Sequence, residues 1–439
     1  MDRRVKRSYV LAWCTLVFCV LFFAMKPYSE EMNYVYAVIV LLLSVILVIR
    51  CRHHNMALII SLFLAYSNYS IAVGIYLCPE LRSIYLYPQI TDVEVYGIGI
   101  AMLLLLNLTL VLFIPKVSKK ERYIFAEDFV REDYYSPLVF LVLALLFMVI
   151  MIVGYGRVEE GRGTTSALYE YNVIVMIAMF FFSGNKKWTK IVCCGCTIPY
   201  VLTSLPNGTR IEAIMCMIVV YLCLFRREVP LWVFIAGMIV GAVGLNIIGI
   251  FRGNSVSLAD GFQTSMESMK KSKMVFVTCT DAYFPTLCMI EQFKEYSLPT
   301  AFEYFFKFVG TIFLGANRVE GGNLIDYVRS FYYHNFGGVV TGFMYVWFSY
   351  PGALIFGGYV STIVNAAKKE TKHSPLLLCG VLYATAMVPR WYLYGPWAIT
   401  RGVLICMVAV TLAYMVWKCV LCKREFRYGL IRRTNETQG

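Results

Sequence analysis

Long apolar runs, parted by short segments that hold most of the charge, fill this chain from end to end. A chain built that way has to be solvated largely by lipid. Runs long enough to cross about 30 Å of hydrocarbon as helices lie at 8–25, 33–50, 55–77, 93–114, 137–155, 167–183, 189–205, 209–225, 230–250, 339–364, 375–393 and 396–417. Unpaired backbone groups cannot face lipid, so spanning segments are helices or a closed barrel. These runs are continuous rather than alternating, which excludes the barrel. The expected fold is an all-α polytopic membrane protein with about 12 transmembrane helices and a large external loop between the ninth and tenth. The expected organisation is helices 1–9 in residues 1–250, the loop in 251–338, helices 10–12 in 339–417 and a basic cytoplasmic tail in 418–439.

The basic residues test that topology. With the N-terminus inside, 25 of the 40 Lys and Arg fall in cytoplasmic segments, and every such segment carries at least two. The short outer loops hold seven and the long loop eight. This asymmetry places both termini in the cytoplasm. It also accounts for the net charge of +13, which in a soluble chain would raise nucleic acid as a partner. Here the positive charge marks orientation, and nucleic acid is not expected.

Most of the 15 cysteines lie within apolar runs, where Cys serves as a small packing residue. No set of His and Cys has metal-ligand spacing, so no metal or other cofactor is expected. Cys279 and Cys288 fall in the long loop and stand as a candidate disulfide. The first run follows Arg3, Arg4, Lys6 and Arg7 without a small-residue cleavage site after it, and reads as an uncleaved span.

The long loop should contain helices over 262–274 and 279–296, the second kinked by Pro285, and an apolar stretch over 301–314 suited to the membrane interface. Its eight basic and eight acidic residues cancel, so any anion site there must come from local geometry.

Ionisable groups at the outer face are the first candidates for chemistry, because desolvating them is costly unless something pairs with them. Asn207, Gly208, Thr209, Arg210 and Glu212 open the eighth run. A glycine turn at a helix start offers free N–H groups to an anion, and Arg210 adds a fork that matches phosphate oxygens. The alternative is an interfacial Arg snorkelling beside Glu212. Arg252 follows the ninth run and, taken alone, reads first as a membrane-edge anchor. The densest polar stretch, 317–338, holds Arg318, Glu320, Asp326, Arg329, Tyr332, Tyr333 and His334. Guanidinium groups there can neutralise a diphosphate, a carboxylate or imidazole can accept a hydroxyl proton, and aromatic rings can stack on sugars. His334, Glu320, Asp326 and Glu212 are the candidate proton-transfer groups. Arg390 and Arg401 flank the last outer turn, with Trp391 and Tyr392 read as an aromatic belt.

Three features together resemble the Wzy-type polymerases that join O-antigen and capsule repeat units. One is the plan, about a dozen spans with a long late outer loop. The second is Asn207-Gly-Thr-Arg210 opening a helix. The third is His334-Asn-Phe-Gly-Gly338, leading into Thr341-Gly-Phe-Met-Tyr-Val-Trp-Phe-Ser-Tyr-Pro-Gly352 and Gly357-Gly-Tyr359. Many relatives carry an acid within that last helix, where this chain has Phe343 and its neighbours. The resemblance covers roughly residues 200–360. It implies a GT-C-like glycosyltransferase in a bacterial cytoplasmic membrane, acting on undecaprenyl-diphosphate-linked oligosaccharide, with no cofactor and with a chain-length regulator as a partner. Arg210, Arg252, Arg318, Arg329, Arg390 and Arg401 would then be diphosphate ligands, with Tyr332 and Tyr333 beside the sugars. A ligase of similar architecture and a flippase for the same lipid-linked unit are the alternatives. Transporters of this size, however, tend to show related halves and charged groups at mid-bilayer, and neither is apparent here.

Overall fold

The structure, a computed structural model, describes residues 3–81, 90–155, 158–159, 162–163, 167–204, 210–253, 258–275, 277–315, 318–332, 337–367 and 374–422. Apart from a hairpin of two-residue strands, β1 (Val158–Glu159) and β2 (Arg162–Gly163), the secondary structure among these residues is helical.

Helix occupies each of the twelve apolar runs. In chain order come α1 (Arg3–Ala24), α2 (Glu30–Cys51), α3 (Asn55–Ile71), which continues as a π-helical turn to Leu77, and α4 (Val93–Phe113). They are followed by the short α5 (Phe125–Phe129), then α6 (Pro137–Gly154), α7 (Ala167–Phe181), α8 (Lys187–Ser204), α9 (Arg210–Leu224) and α10 (Leu231–Gly253). The long loop contributes α11 (Leu258–Lys271), α12 (Val277–Phe293), α13 (Leu298–Leu314) and α14 (Leu324–Arg329). The chain closes with α15 (Val340–Phe348), α16 (Tyr350–Ala366), α17 (Pro375–Ala386), α18 (Val388–Leu393) and α19 (Val403–Val416), with π-helical turns before and after the last.

Among the described residues, five helical stretches are long and apolar enough to cross a membrane: Glu30–Cys51, Asn55–Leu77, Val93–Phe113, Pro137–Gly154 and Ala398–Cys419. Shorter apolar helices cover Tyr9–Ala24, Leu168–Phe181, Ile211–Leu224, Leu231–Gly241 and Leu376–Ala386. Leu138, Leu141, Leu145, Ile152 and Val153 of α6 all stand more than half exposed. So broad an apolar surface is unfavourable in water and natural in lipid. The chain is a helical membrane protein.

The chain divides into two units. The first comprises Met1–Tyr123, Arg227–Thr371 and Met387–Arg401. At its centre is α4, buried on every side from Val95 to Asn107 and packed on α2, α16, α12 and α15. A helix apolar all round is expected in such an interior position. The few polar groups at that depth satisfy one another. Asn68 donates to Ser44 at 3.0 Å and to Asn107 at 3.1 Å, and the Tyr392 hydroxyl donates to Asn68. The second unit comprises Ile124–Arg226, Lys372–Ala386 and Gly402–Gly439. There α7, buried without a break from Val173 to Phe182, packs on α6, α9, α17 and α19.

Several local expectations need correction. The run 339–364 is two helices, because Ser349 takes φ 53° and ψ −145° and breaks the ladder ahead of Pro351. The run 375–393 also breaks, at Met387, which takes φ −84° and ψ 10° two residues ahead of Pro389. Trp391 and Tyr392 are fully buried rather than belted at the interface, since α18 turns them into the core of the first unit. Cys279 and Cys288 are free, buried thiols on the single helix α12. Nine residues of helix hold them roughly 13 Å apart, beyond disulfide reach. Pro285 lies within α12, and that helix is no surface cap: twelve of its residues, from Cys279 to Phe293, are buried against α3, α4 and α15. Exposed Leu298, Phe302, Phe306 and Phe313 run along α13, the character expected of a helix lying in a membrane interface.

Candidate functional site

In the first unit the chain folds back so that the end of α13, the residues preceding α15 and the segment from α18 to Arg401 form one rim. Their meeting is held by the backbone. Gly338 N–H donates to the Leu393 carbonyl at 2.8 Å, and Val339 N–H to the Ala282 carbonyl of α12 at 3.2 Å. Gly337 sits at φ 138° against Ala282, a conformation and a proximity that suit glycine alone. Trp397 Nε1 donates to Thr311 Oγ1 of α13 at 2.9 Å, and its ring packs edge-on to Phe308 and Phe343.

Three arginines lie on this rim. Arg401, half-buried, brings a guanidinium nitrogen to 3.0 Å from where a Cβ on Gly315 would stand. Gly315 caps α13 at φ 97°, so it gives Arg401 its space and the chain its reversal at once. The Arg318 N–H donates to the Gly315 carbonyl at 3.0 Å, which sets Arg318, exposed, on the same turn. Arg390 is half-buried on α18 and lies 5.4 Å over the ring of Tyr394, which pairs with Gly338.

The other expected residues distribute less tightly. Asp326, exposed, accepts from Asn323 Nδ2 at 2.6 Å and belongs to the N-terminal turn of α14. Arg329, also exposed, is in the last turn of that helix. Glu320 is exposed near Lys307, whose principal partner is Glu303 at 2.7 Å. Tyr332 is half-buried, and burial pushes its phenol up. Tyr333 and His334 lie outside the described residues, as do the side chains of Arg210 and Arg252, whose backbones start α9 and end α10. Arg210 and Glu212 belong to the second unit. There Glu212 is buried and interacts electrostatically with Tyr169 and Tyr200, whose rings stack at 4.5 Å.

One group of residues escaped the sequence. Phe293, Tyr296, Tyr304, Tyr327 and Phe331 form an aromatic cluster with centroids 4.6 to 5.8 Å apart at the ends of α12, α13 and α14. Tyr296 and Tyr327 share a hydroxyl contact of 3.5 Å, and Phe331 is more than half exposed. The number of aromatics in the loop was visible in the sequence; their convergence was not. Beside the cluster, Lys294 pairs with Asp92 at 2.7 Å and Glu291 at 3.2 Å, tying the end of α12 to the start of α4. The Lys294 ammonium holds the Asp92 carboxyl below the usual carboxylate range.

Among the described residues no group of three His, Cys, Asp or Glu is arranged to hold a metal ion. Family models, curated proteins and solved structures offer no match to the chain. The residues themselves therefore carry the functional reading.

Proposed function

We propose that this protein polymerises oligosaccharide repeat units carried on a polyprenyl diphosphate, at the outer face of a bacterial cytoplasmic membrane. The observation that carries the reading is Arg401 fitted against Gly315, on one rim with Arg318 and Arg390, in a protein whose spans present apolar surface to lipid. Fixed guanidiniums at a membrane edge suit a phosphorylated lipid headgroup, since their donors match its oxygens without a metal ion.

In the proposed reaction, an acceptor sugar hydroxyl oxygen bonds to the anomeric carbon of the donor chain. The bond from that carbon to the diphosphate oxygen breaks, and the lipid diphosphate leaves with the electron pair. Arg401, Arg390 and Arg318 meet the charge that develops on it. The hydroxyl proton passes to a base, a role assigned to His334, with Glu320 and Asp326 as rivals. Arg252 and Arg329 complete the proposed ligand set. The exposed aromatic faces of the Tyr296–Tyr327 cluster, with Tyr332 and Tyr333, supply stacking surface for sugar rings. Twelve crossings with both termini cytoplasmic, a GT-C-like arrangement and a chain-length regulator as partner belong to the same proposal.

The test is genetic. Arg401→Ala and Arg390→Ala, expressed at wild-type level in the native host, should leave surface glycan as single repeats on a gel. Long-chain glycan undiminished in both variants contradicts the proposal.

A further inference from the structure

A second basic site lies at the ends of α2 and α4. A wide-mouthed cavity of about 610 Å³ is lined by Arg52, His53, Lys116, Ser118, Lys119 and Glu228, among others. Three cations face one carboxylate there. The residues come from three connections: that between α2 and α3, the one after α4, and the one leading into α10. Arg52 directly follows the last residue of α2, and Arg50 Nη2 donates to the carbonyl of Ile114, the cap of α4, at 2.9 Å. The cavity is therefore fixed at the ends of two membrane-length helices, at headgroup depth.

Its internal bonds leave it cationic. Arg52 Nε donates to His53 Nε2 at 3.0 Å, so the imidazole proton resides on Nδ1, which donates to Glu228 Oε1 at 2.6 Å. The one lining carboxylate is thus paired with His53, and a second, Glu121, sits beside the cavity, accepting from the lining Ser118 at 3.0 Å. Arg52, Lys116 and Lys119 are exposed and outnumber these two carboxylates.

We infer that this cavity binds the phosphate of an anionic phospholipid headgroup, a diester with acyl chains attached rather than a soluble phosphate. What selects the lipid is the surface adjoining the cavity. Pro230 lines it, and α10 begins at the next residue. On that helix Trp232, Ile235, Ile239 and Val240 are between 44% and 71% exposed, and Ile46 and Ile49 of α2 are likewise outward. A headgroup phosphate seated among Arg52, Lys116 and Lys119 would leave its chains along apolar side chains that water would otherwise meet. Basic pockets at the cytoplasmic ends of helices bind anionic headgroups on this principle.

The test uses the purified full chain in detergent, titrated with phosphatidylglycerol or phosphatidylcholine and read by native mass spectrometry. Each basic group near such a phosphate favours the anionic lipid. The wild type should therefore prefer phosphatidylglycerol by at least about tenfold. Arg52→Gln/Lys116→Gln/Lys119→Gln should lose most of that preference. Lys186→Gln/Lys187→Gln/Lys190→Gln, at another basic segment, should keep it. Should the first triple variant misfold, Glu228→Gln serves instead, and it should raise the preference. Equal binding of the two lipids by the wild type overturns the inference, as does an unchanged preference in the cavity variant. Displacement of the lipid by millimolar inorganic phosphate assigns the cavity to a soluble anion and overturns it too.

Discussion

At the scale of single residues, Gly315 and Arg401 are the most exacting pair. They stand 86 residues apart in the sequence and touch in the fold. A methyl group on Gly315 would push on the guanidinium and would also have to occupy φ 97°. Gly315→Ala should therefore reduce glycan polymerisation in the same direction as Arg401→Ala, roughly 10²-fold if the guanidinium stabilises departing charge. Quantifying long-chain glycan at matched protein level checks this, and a fully active Gly315→Ala would show that Arg401 has no fixed role. Nothing in the linear sequence could have singled out this glycine. The Arg401 candidacy itself was legible, because an Arg at an outer helix end in an apolar chain is costly to keep without a partner.

Elements show which signals a hydropathy reading carries and which it loses. Helix positions were legible from apolar runs, but the break at Ser349 was not, although Pro351 two residues on marks a boundary. Ser349 is exposed and in a backbone region that disfavours a Cβ. Ser349→Gly should stabilise the protein by about 1 kcal/mol, seen as a higher melting temperature in detergent; a lowered one would mean that the serine side chain is needed there. The burial of α12 was hidden differently. Thr280, Asp281 and Thr286 dilute its hydropathy, so it reads as a loop helix, while neighbouring helices rather than lipid bury it. Its outer end depends on charge. Because Lys294 holds Asp92 below its ordinary value, the pair stabilises the fold at pH above about 4 and is lost as pH falls below that. The pair is part-exposed and contributes about 0.5 kcal/mol. Asp92→Asn should thus lower the melting temperature slightly at pH 7, and the difference should shrink progressively as the pH falls below about 4. A destabilisation that persists in acid would assign the effect to the N-cap of α4 instead, since Asp92 also accepts from Glu94 N–H.

Over the whole molecule, a lipid-facing helical body carries arginines on one rim and a basic cavity at the ends of α2 and α4. The two proposals assign chemistry to the rim and lipid anchorage to the cavity. The charge asymmetry on which the proposed topology rests can be read in the sequence alone, because it depends only on which segments hold Lys and Arg. Assembly of the rim was not, because it joins residues from α13, the start of α15 and α18 through contacts of long sequence separation. The most direct measurement is reconstitution. The purified protein, in vesicles without an ion gradient, is given a synthetic polyprenyl-diphosphate oligosaccharide repeat unit, and the products are resolved by size. A ladder of lengthened lipid-linked glycan from the wild type, absent with Arg401→Ala, is the predicted result. Repeat units that merely change leaflet, or that remain single in the presence of folded wild-type protein, would contradict it.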